Sequence, residues 1–376
     1  VHDRPDPWGC YAELDLMKMA DRLLDEAGVV RVIERDYERF GEYAVFKAEP
    51  VARTKSAKIP VAVARTKIIE NLFPGASPAI AEAGPDMLLV WVHDDTDDPD
   101  LQSTEIAWSV DEGTGWIPFY LVNDDTKAEF DPVLGTNADG DIVAAWLRIK
   151  DEDFSETISK PEHLPRFYTR MEVVTAVFDT DAQSWDPLAQ ITDDESMDTD
   201  LKLASDASGR LMLTWLSNPD GEFRSSSESP STLRYSFWNG SGFSPPEVLA
   251  GGLEGVSSHA SAISGDSAVV LVPRDPDLLT IGDEIIELFE WDGDDWIVQT
   301  PWPPDTAGNR APTVVYDDTG EGHVVWLRGN DLVRATLSDP VPTVLRAGSA
   351  SLAFLGAQLI NNPGGNITLT WQETVD

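Results

Sequence analysis

The chain has little cysteine, little positive charge and no long apolar segment. Its 376 residues include a single cysteine, Cys10, so no disulfide can form within the chain. Lysine and arginine together number 27, against 67 aspartate and glutamate residues, and the formal net charge is -40. Because such a surface repels phosphate groups, nucleic acid is not an expected partner. No apolar run approaches the roughly 18 residues that a membrane-spanning helix requires, so no transmembrane segment is expected.

The first residues have the pattern of neither a translation start nor a signal peptide. Val1 to Pro7 contain no initiator methionine and no basic segment leading into an apolar one. We therefore expect the chain to be part of a longer polypeptide or assembly. A net charge of -40 is tolerable where salt or divalent cations screen it, which favours an extracellular or cell-surface location. Adaptation to high salt is the alternative cause of this acidity.

Six short apolar runs recur along the chain, each after a turn rich in Gly, Asp or Asn. All but one of the runs end in tryptophan: Leu88–Trp91, Val143–Trp146, Met212–Trp215, Val269–Val272, Val324–Trp326 and Thr368–Trp371. Their spacing of roughly 45 to 70 residues is about right for one four-stranded propeller blade. The pattern predicts an all-β fold, a six-bladed β-propeller of four-stranded antiparallel blades.

The strand order is clearest in the second repeat. Strands are predicted from Asp131, from Ile142 to Arg148, from Met171 to Phe178 and from Trp185 to Ile191. The sixth repeat supplies two strands before the chain ends. The missing pair has candidates in Glu42 to Lys47 and Ile59 to Arg65, because a ring closed by its own termini has no open sheet edge. A larger ring, with further blades after Asp376, is the alternative.

The predicted organisation is an N-terminal helical or linker segment, residues 1–41, followed by the propeller, residues 42–376. Six apolar residues fall at helical spacing ahead of Gly28, which is placed to end a helix: Leu14, Met17, Ala20, Leu23, Leu24 and Ala27. The blades are expected at about 76–126, 129–194, 198–249, 253–304, 308–345 and 349–376, the last completed by 42–66.

A tight turn in the first repeat carries a family resemblance. Ser109 to Trp116 resembles the Asp-box of sialidase-like β-propellers, a Ser-x-Asp-x-Gly-x-Thr-Trp turn, and lacks only its Thr. Eroded copies stand at the same place in later repeats: Asp179 to Trp185, Trp238 to Phe243 and Trp291 to Trp296. The resemblance implies that the Asp holds backbone amides of the hairpin and that the Trp packs between strands.

The resemblance concerns architecture and does not extend to a reaction. In that family the Asp-box turns lie away from the active site and serve stability. A sialidase-like enzyme would also need an Arg-Ile-Pro signature, and Lys58-Ile59-Pro60 stands in its place. Tyr168, Tyr235 and Tyr316 occupy non-equivalent places in the repeats, and the sequence places no fixed glutamate near them for the nucleophilic role.

One set of residues is a candidate for ligand binding. The residue two places after each strand-ending tryptophan, or its equivalent, lies on the same side of the strand, at the end that opens into the long loops. These rim residues are His93, Arg148, Ser217, Arg274, Arg328 and Glu373. Arginines held in this way bind carboxylate or sulfate groups through paired hydrogen bonds. The alternative is that each arginine pairs with an acidic neighbour at a blade interface.

Two acidic clusters are candidates for a structural calcium ion, since hard cations prefer carboxylate oxygens. The first comprises Asp94, Asp95, Asp97, Asp98 and Asp100. The second comprises Asp193, Asp194 and Asp198. Neither has EF-hand spacing, and solvated surface is the alternative role of such clusters.

Two functions are compatible with these patterns. The favoured one is a non-catalytic extracellular propeller module of a larger secreted or surface protein, which mediates adhesion, assembly, or binding of glycan or protein. The alternative is a sialidase-like glycoside hydrolase that uses the arginines of the rim, or a related enzyme with two carboxylates in the central funnel. Asp131, Asp200 and Glu254 lie near the starts of inner strands, but acidic residues are too common at such positions to be nominated as catalytic.

Overall fold

A computed structural model describes most of the chain from residue 69 onward. The described ranges are 30–35, 46–50, 69, 71–74, 76–94, 104–113, 115–125, 127–150, 164–275, 283–304, 308–349, 352–362 and 366–375. Within them the structure is almost wholly β, and the one helix is the short α1 (Leu164–Tyr168). The all-β prediction is therefore confirmed. The predicted N-terminal helix, Leu14 to Ala27, lies outside the described residues.

The strands form successive antiparallel sheets, each made from one continuous stretch of chain, which we number as blades 1 to 6. Blade 1 contains β3 (Ala79–Ala83), β4 (Asp86–Asp94), β5 (Thr104–Asp111) and β6 (Tyr120–Leu121). Blade 2 contains β7 (Glu129–Thr136), β8 (Ile142–Ile149), β9 (Met171–Asp179) and, in the fourth place, the short β10 (Ser184–Trp185) and β11 (Ala189–Gln190). Blade 3 contains β12 (Met197–Ser205), β13 (Leu211–Asn218), β14 (Ser231–Phe237) and β15 (Glu247–Leu253).

The later blades repeat this order until the chain runs out. Blade 4 contains β16 (Ala260–Ser264), β17 (Ser267–Arg274), β18 (Ile285–Trp291) and β19 (Trp296–Gln299). Blade 5 contains β20 (Asn309–Tyr316), β21 (Gly322–Arg328), β22 (Asp331–Thr336) and β23 (Thr343–Arg346). Blade 6 contains β24 (Leu352–Asn362) and β25 (Asn366–Val375). The first strands contact one another in the order β3, β7, β12, β16, β20 and β24, as around the axis of a propeller.

The predicted closure of the ring is not confirmed. Residues 46–50, which overlap the proposed closing segment at Glu42 to Lys47, form β2 (Phe46–Pro50) and pair with β1 (Val30–Arg35) in a separate antiparallel sheet. Blade 6 has two strands, and within the described residues β25 pairs with β24 alone. The second proposed segment, Ile59 to Arg65, lies outside the described residues. Six complete blades in a closed ring therefore stay a prediction.

Buried tryptophans recur in the second strands of the blades. Trp91, Trp146, Trp215 and Trp326 lie in the second strands of blades 1, 2, 3 and 5, and each is 0% exposed. Trp146 packs in a cluster with side chains of blade 1, including Val90. A large buried aromatic side chain removes more apolar surface from water than any other, so Trp146 anchors blade 2 to its neighbour.

The turns between third and fourth strands have the geometry that the Asp-box resemblance implies. Asp111 Oδ1 accepts hydrogen bonds from the backbone N–H groups of Gly113 at 2.9 Å and Gly115 at 3.2 Å. The equivalent residues of the next three blades accept two backbone N–H bonds in the same way: Asp179, Asn239 and Asp292. These side chains replace strand pairing where the backbone reverses, so their role is structural.

A bulge recurs in the innermost strands. The third residue of β7 and of β20, Asp131 and Ala311, and the fourth residue of β12, Asp200, have positive φ values of 53°, 48° and 52°, and the pairing register shifts at each of them. Asp131 and Asp200 stand six residues before Asn137 and Asp206, the residues that cap the following turns. A left-handed conformation is costly for a residue with a side chain, so the equivalent positions of two adjacent blades present aspartate on a strained backbone.

Candidate functional site

The rim residues lie where the sequence places them, at the ends of second strands. Because the sheets are antiparallel, the start of each first strand lies beside them: Glu129 is opposite Arg148, Asp198 opposite Ser217, and Asn309 opposite Arg328. His93 is in β4, and its ring lies 4.9 Å from that of Phe119. Glu373 is opposite Phe354 in blade 6. The rim is therefore one edge of successive blades.

Arg148 forms ion pairs with two carboxylates at the junction of blades 1 and 2. Its Nε donates to Glu129 Oε1 at 3.0 Å, and its Nη2 pairs with Asp125. Glu129 Oε2 also accepts the backbone N–H of Ile106, in the third strand of blade 1, at 3.0 Å. Burial raises the pKa of Glu129 to about 7, although both donors oppose that shift. Arg148 thus stabilises a buried carboxylate that joins two blades.

Arg274 also forms an ion pair with a carboxylate, within blade 4. Its Nη1 donates to Glu287 Oε1 at 2.8 Å, and its Nε donates to the carbonyl oxygen of Glu254 at 3.2 Å. Arg148 and Arg274 therefore have separate carboxylate partners in different blades. Arg148 thus has the interface role that the sequence offered as the alternative to ligand binding, whereas Arg274 pairs with a carboxylate of its own blade.

Replacing Arg148 with alanine is expected to lower the free energy of unfolding by about 1–3 kcal/mol, because buried Glu129 loses a donor. The matched control is Arg210→Ala, since Arg210 pairs with Asp266 where both side chains are largely exposed. That exposed pair is worth at most about 1 kcal/mol. Chemical denaturation of both variants measures the difference. Equal losses would contradict a structural role for Arg148.

Two carboxylates of the second predicted calcium cluster accept hydrogen bonds from other groups of the protein. Asp194 Oδ1 accepts the backbone N–H of Ser196 at 2.8 Å, and Asp198 Oδ2 accepts from the Thr192 hydroxyl at 2.7 Å. Asp193 is exposed. In the part of the chain that the structure describes, no three His, Cys, Asp or Glu side chains are grouped to hold a metal ion. Of the first cluster, Asp94 is buried and Asp95, Asp97, Asp98 and Asp100 lie outside the described residues.

An open cavity of about 330 Å³ lies between the first strands of blades 1 to 4. It is lined by Ala79, Ile80, Pro132, Val133, Leu134, Lys202, Leu203 and Ser261. The lining is mostly apolar, with Lys202 and Ser261 as its polar side chains. Pockets of this composition are typical sites for small molecules or parts of larger ligands.

Asp200 organises both polar side chains of the cavity. Its Oδ1 accepts from Lys202 Nζ at 2.6 Å, and its Oδ2 accepts the backbone N–H of His259 at 2.6 Å. The His259 Nδ1 atom lies 2.8 Å from Asp200 Oδ2, and its Nε2 atom forms a hydrogen bond of 2.7 Å with Thr214 Oγ1. Thr214 Oγ1 lies in turn 3.2 Å from Ser261 Oγ.

Opposite pKa shifts distinguish the two bulge aspartates. Burial alone would raise the pKa of Asp200, but His259 and Lys202 outweigh it and the pKa is lowered. Desolvation of its carboxyl by neighbouring protein atoms raises the pKa of Asp131, with Lys202 opposing and Asp200 reinforcing the shift. Burial also lowers the pKa of His259, with Asp200 opposing the shift.

Sequence reasoning noted Asp131 and Asp200 but missed Lys202, Thr214, His259 and Ser261. The sequence contained a signal for the bulge position, because Asp131 and Asp200 each stand six residues before a turn residue. The series of polar contacts from Asp200 to Ser261 could not be predicted from the sequence. It joins residues of two blades that are 45 to 59 positions apart.

No protein-family model and no curated protein matches the sequence. The solved structures that resemble the chain include the polysaccharide lyase Uly1, with a TM-score of 0.51 and 9% identity over 80% of this chain and 77% of that chain. An α-L-arabinanase of Penicillium chrysogenum has a TM-score of 0.49 and 12% identity over 80% of this chain and 93% of that chain. A Hadza microbial sialidase has a TM-score of 0.43 and 13% identity over 79% and 64%.

Similarity at these identities concerns the fold alone, because one fold hosts many unrelated activities. The match to Uly1 accords with the order of antiparallel blades described above. No helix in the described part of the chain has the length and apolar character to cross a membrane. The β-propeller architecture that the Asp-box resemblance implied is confirmed.

Proposed function

We propose that this chain is a non-catalytic, glycan-binding β-propeller module of a larger secreted or surface protein. The observation that supports it most directly is the state of the rim. Arg148 and Arg274 are held by carboxylates of the protein itself, so two of the three rim arginines that a sialidase-like hydrolase would direct at a substrate carboxylate have structural partners. The cavity between blades 1 to 4 offers instead an apolar wall with two polar groups, a lining suited to binding.

The similar structures support glycan as the ligand class, within limits. Uly1, the arabinanase and the sialidase are named for activities on carbohydrates. The fold alone is shared, so the ligand class is a proposal for this chain. Protein ligands, adhesion and assembly with further domains remain compatible with the same module.

The proposed function includes a calcium ion bound by the residues that follow β4. Asp94, at the end of β4, is followed by Asp95, Asp97, Asp98 and Asp100, a density of carboxylates that suits a hard cation. We propose that calcium binds in this loop, and that Asp193, Asp194 and Asp198 have structural roles.

A glycan array, probed with and without calcium, tests the proposed function. We expect binding to a defined set of glycans, no shortening of those glycans on prolonged incubation, and weaker binding together with a lower melting temperature in EDTA. An array without binding would contradict the glycan proposal and favour a protein ligand. Unchanged binding and melting in EDTA would contradict the calcium proposal.

One observation favours a second candidate, hydrolysis at the cavity. Asp131 and Asp200 occupy equivalent bulges of adjacent blades, and their pKa values are shifted in opposite directions, as is common for an acid and base pair. Release of shorter glycans by the wild type, abolished in Asp131→Asn, would establish hydrolysis and overturn the non-catalytic role.

A further inference from the structure

We infer that the cavity between blades 1 to 4 binds a neutral sugar residue, with Ser261 and Lys202 as its polar contacts. This inference rests on the proposed function and specifies its site and ligand class.

The apolar wall comes from the first strands of blades 1 and 2. Ile80, Val133 and Leu134 line the cavity, and the Ile80 side chain is 56% exposed. A sugar ring has one face made of C–H groups and an edge of hydroxyl groups. Packing that face on aliphatic side chains removes apolar surface from water on both partners.

Lys202 supplies hydrogen-bond donors without an unbalanced positive charge. An ammonium group has three N–H donors, and Asp200 Oδ1 accepts one at 2.6 Å. The remaining donors can reach oxygen atoms of a ligand in the cavity that Lys202 lines. Because Asp200 balances its charge, Lys202 acts as a polar contact rather than as an anion receptor.

Ser261 is held in place by a buried chain of polar groups. Thr214 is fully buried and lies 3.2 Å from Ser261 Oγ, and His259, 4% exposed, lies 2.7 Å from Thr214 Oγ1. This chain takes up one hydrogen-bonding position of the Ser261 hydroxyl and leaves the others for the cavity. A sugar hydroxyl both donates and accepts, so it can meet Ser261 in either sense. Preorganisation of this kind reduces the entropy lost on binding.

The local charge disfavours acidic sugars. Asp200 lies beside Lys202 and balances its charge. The cavity therefore has no excess positive charge for a sugar carboxylate, and the chain as a whole carries a formal charge of -40. A negative ligand gains no attraction there, whereas a neutral one loses nothing to electrostatics.

Calorimetric titration of free oligosaccharides into the full chain and four variants tests the inference. The probes are neutral oligosaccharides of glucose, galactose, mannose and arabinose, and acidic ones that contain sialic or glucuronic acid. Ser261→Ala removes the held hydroxyl, and Ile80→Trp fills the cavity from an exposed position. The matched controls are Ser241→Ala, in the exposed turn of blade 3, and Val248→Trp, on outer strand β15, where Val248 is 57% exposed.

We expect a neutral probe to bind, with affinity about tenfold weaker in Ser261→Ala, the loss typical of one hydrogen bond. Ile80→Trp is expected to weaken binding more than tenfold, and both controls to bind as the wild type does. Neutral binding that neither cavity variant weakens would overturn the inference and leave the proposed function standing. Preference for acidic probes would overturn the ligand class. Absence of binding to every probe would overturn both the inference and the glycan-binding function.

Discussion

Replacing Trp146 with alanine is expected to lower the free energy of unfolding by about 3–5 kcal/mol, the range for truncating a large buried aromatic side chain. Trp146 is 0% exposed and packs with residues of blade 1, so its loss opens a cavity between two blades. Urea denaturation followed by circular dichroism gives the change in midpoint and in free energy.

The matched control is the same substitution at Trp371. This residue has the equivalent place in blade 6, yet it is 39% exposed, and Trp371→Ala is expected to cost less than about 1.5 kcal/mol. Equal losses at the two positions would contradict the exposed state of blade 6. That outcome would instead support the ring closure predicted from the sequence, because covering strands would bury Trp371.

Stability is expected to increase as the pH falls from about 9 to 6, by about 2–4 kcal/mol. Burial raises the pKa of Asp198 from 3.8 to about 8, with nearby Asp194 and Glu172 adding to the shift against the Thr192 hydrogen bond. Between pH 3.8 and about 8, Asp198 holds a proton in the folded protein that it has released in the unfolded chain. The stabilisation is therefore lost as the pH rises through 8. Glu129, with a pKa raised to about 7 chiefly by burial, acts in the same direction.

Asp198→Asn isolates the contribution of this carboxyl. The variant is expected to be more stable than the wild type at pH 9, because it removes a buried charge, and to show a shallower dependence on pH. Asp266→Asn, at a largely exposed position, serves as the control and should retain the wild-type slope. Melting temperatures from pH 5.5 to 9 measure both effects. A slope in Asp198→Asn as steep as that of the wild type would contradict the assignment.

Local patterns in the sequence predicted the repeating parts of the fold. Trp91, Trp146, Trp215 and Trp326 mark second strands because a sheet packed on both faces needs an apolar run there, and the turn capped by Asp111 needs only neighbouring residues. These are short-range requirements, visible within a few positions. The same reasoning located Arg148 and Arg274 at strand ends, and left open which partners they have.

The site depends on relations between blades, which the sequence does not display. Arg148 meets Glu129 because antiparallel pairing brings residues 19 positions apart together. His259 meets Asp200 because blades 3 and 4 are adjacent around the axis. The repeat length and the alternation of apolar and polar residues identify strands and their faces. The partners of each side chain depend instead on how one blade packs against the next. Ser217 illustrates this: the rim pattern predicted a ligand contact, and the structure buries it opposite Asp198.

The far side of β25 gives the chain's acidity a further consequence. Within the described residues, no strand pairs with that side. Unpaired backbone N–H and C=O groups along a strand edge are a template on which another molecule can add a strand, and charge at such an edge opposes this. A formal charge of -40 keeps copies of the chain apart by mutual repulsion, over a distance that shrinks from about 10 Å at 0.1 M salt to about 3 Å at 1 M. Net charge thus protects this edge of blade 6, and its protection depends on the salt concentration.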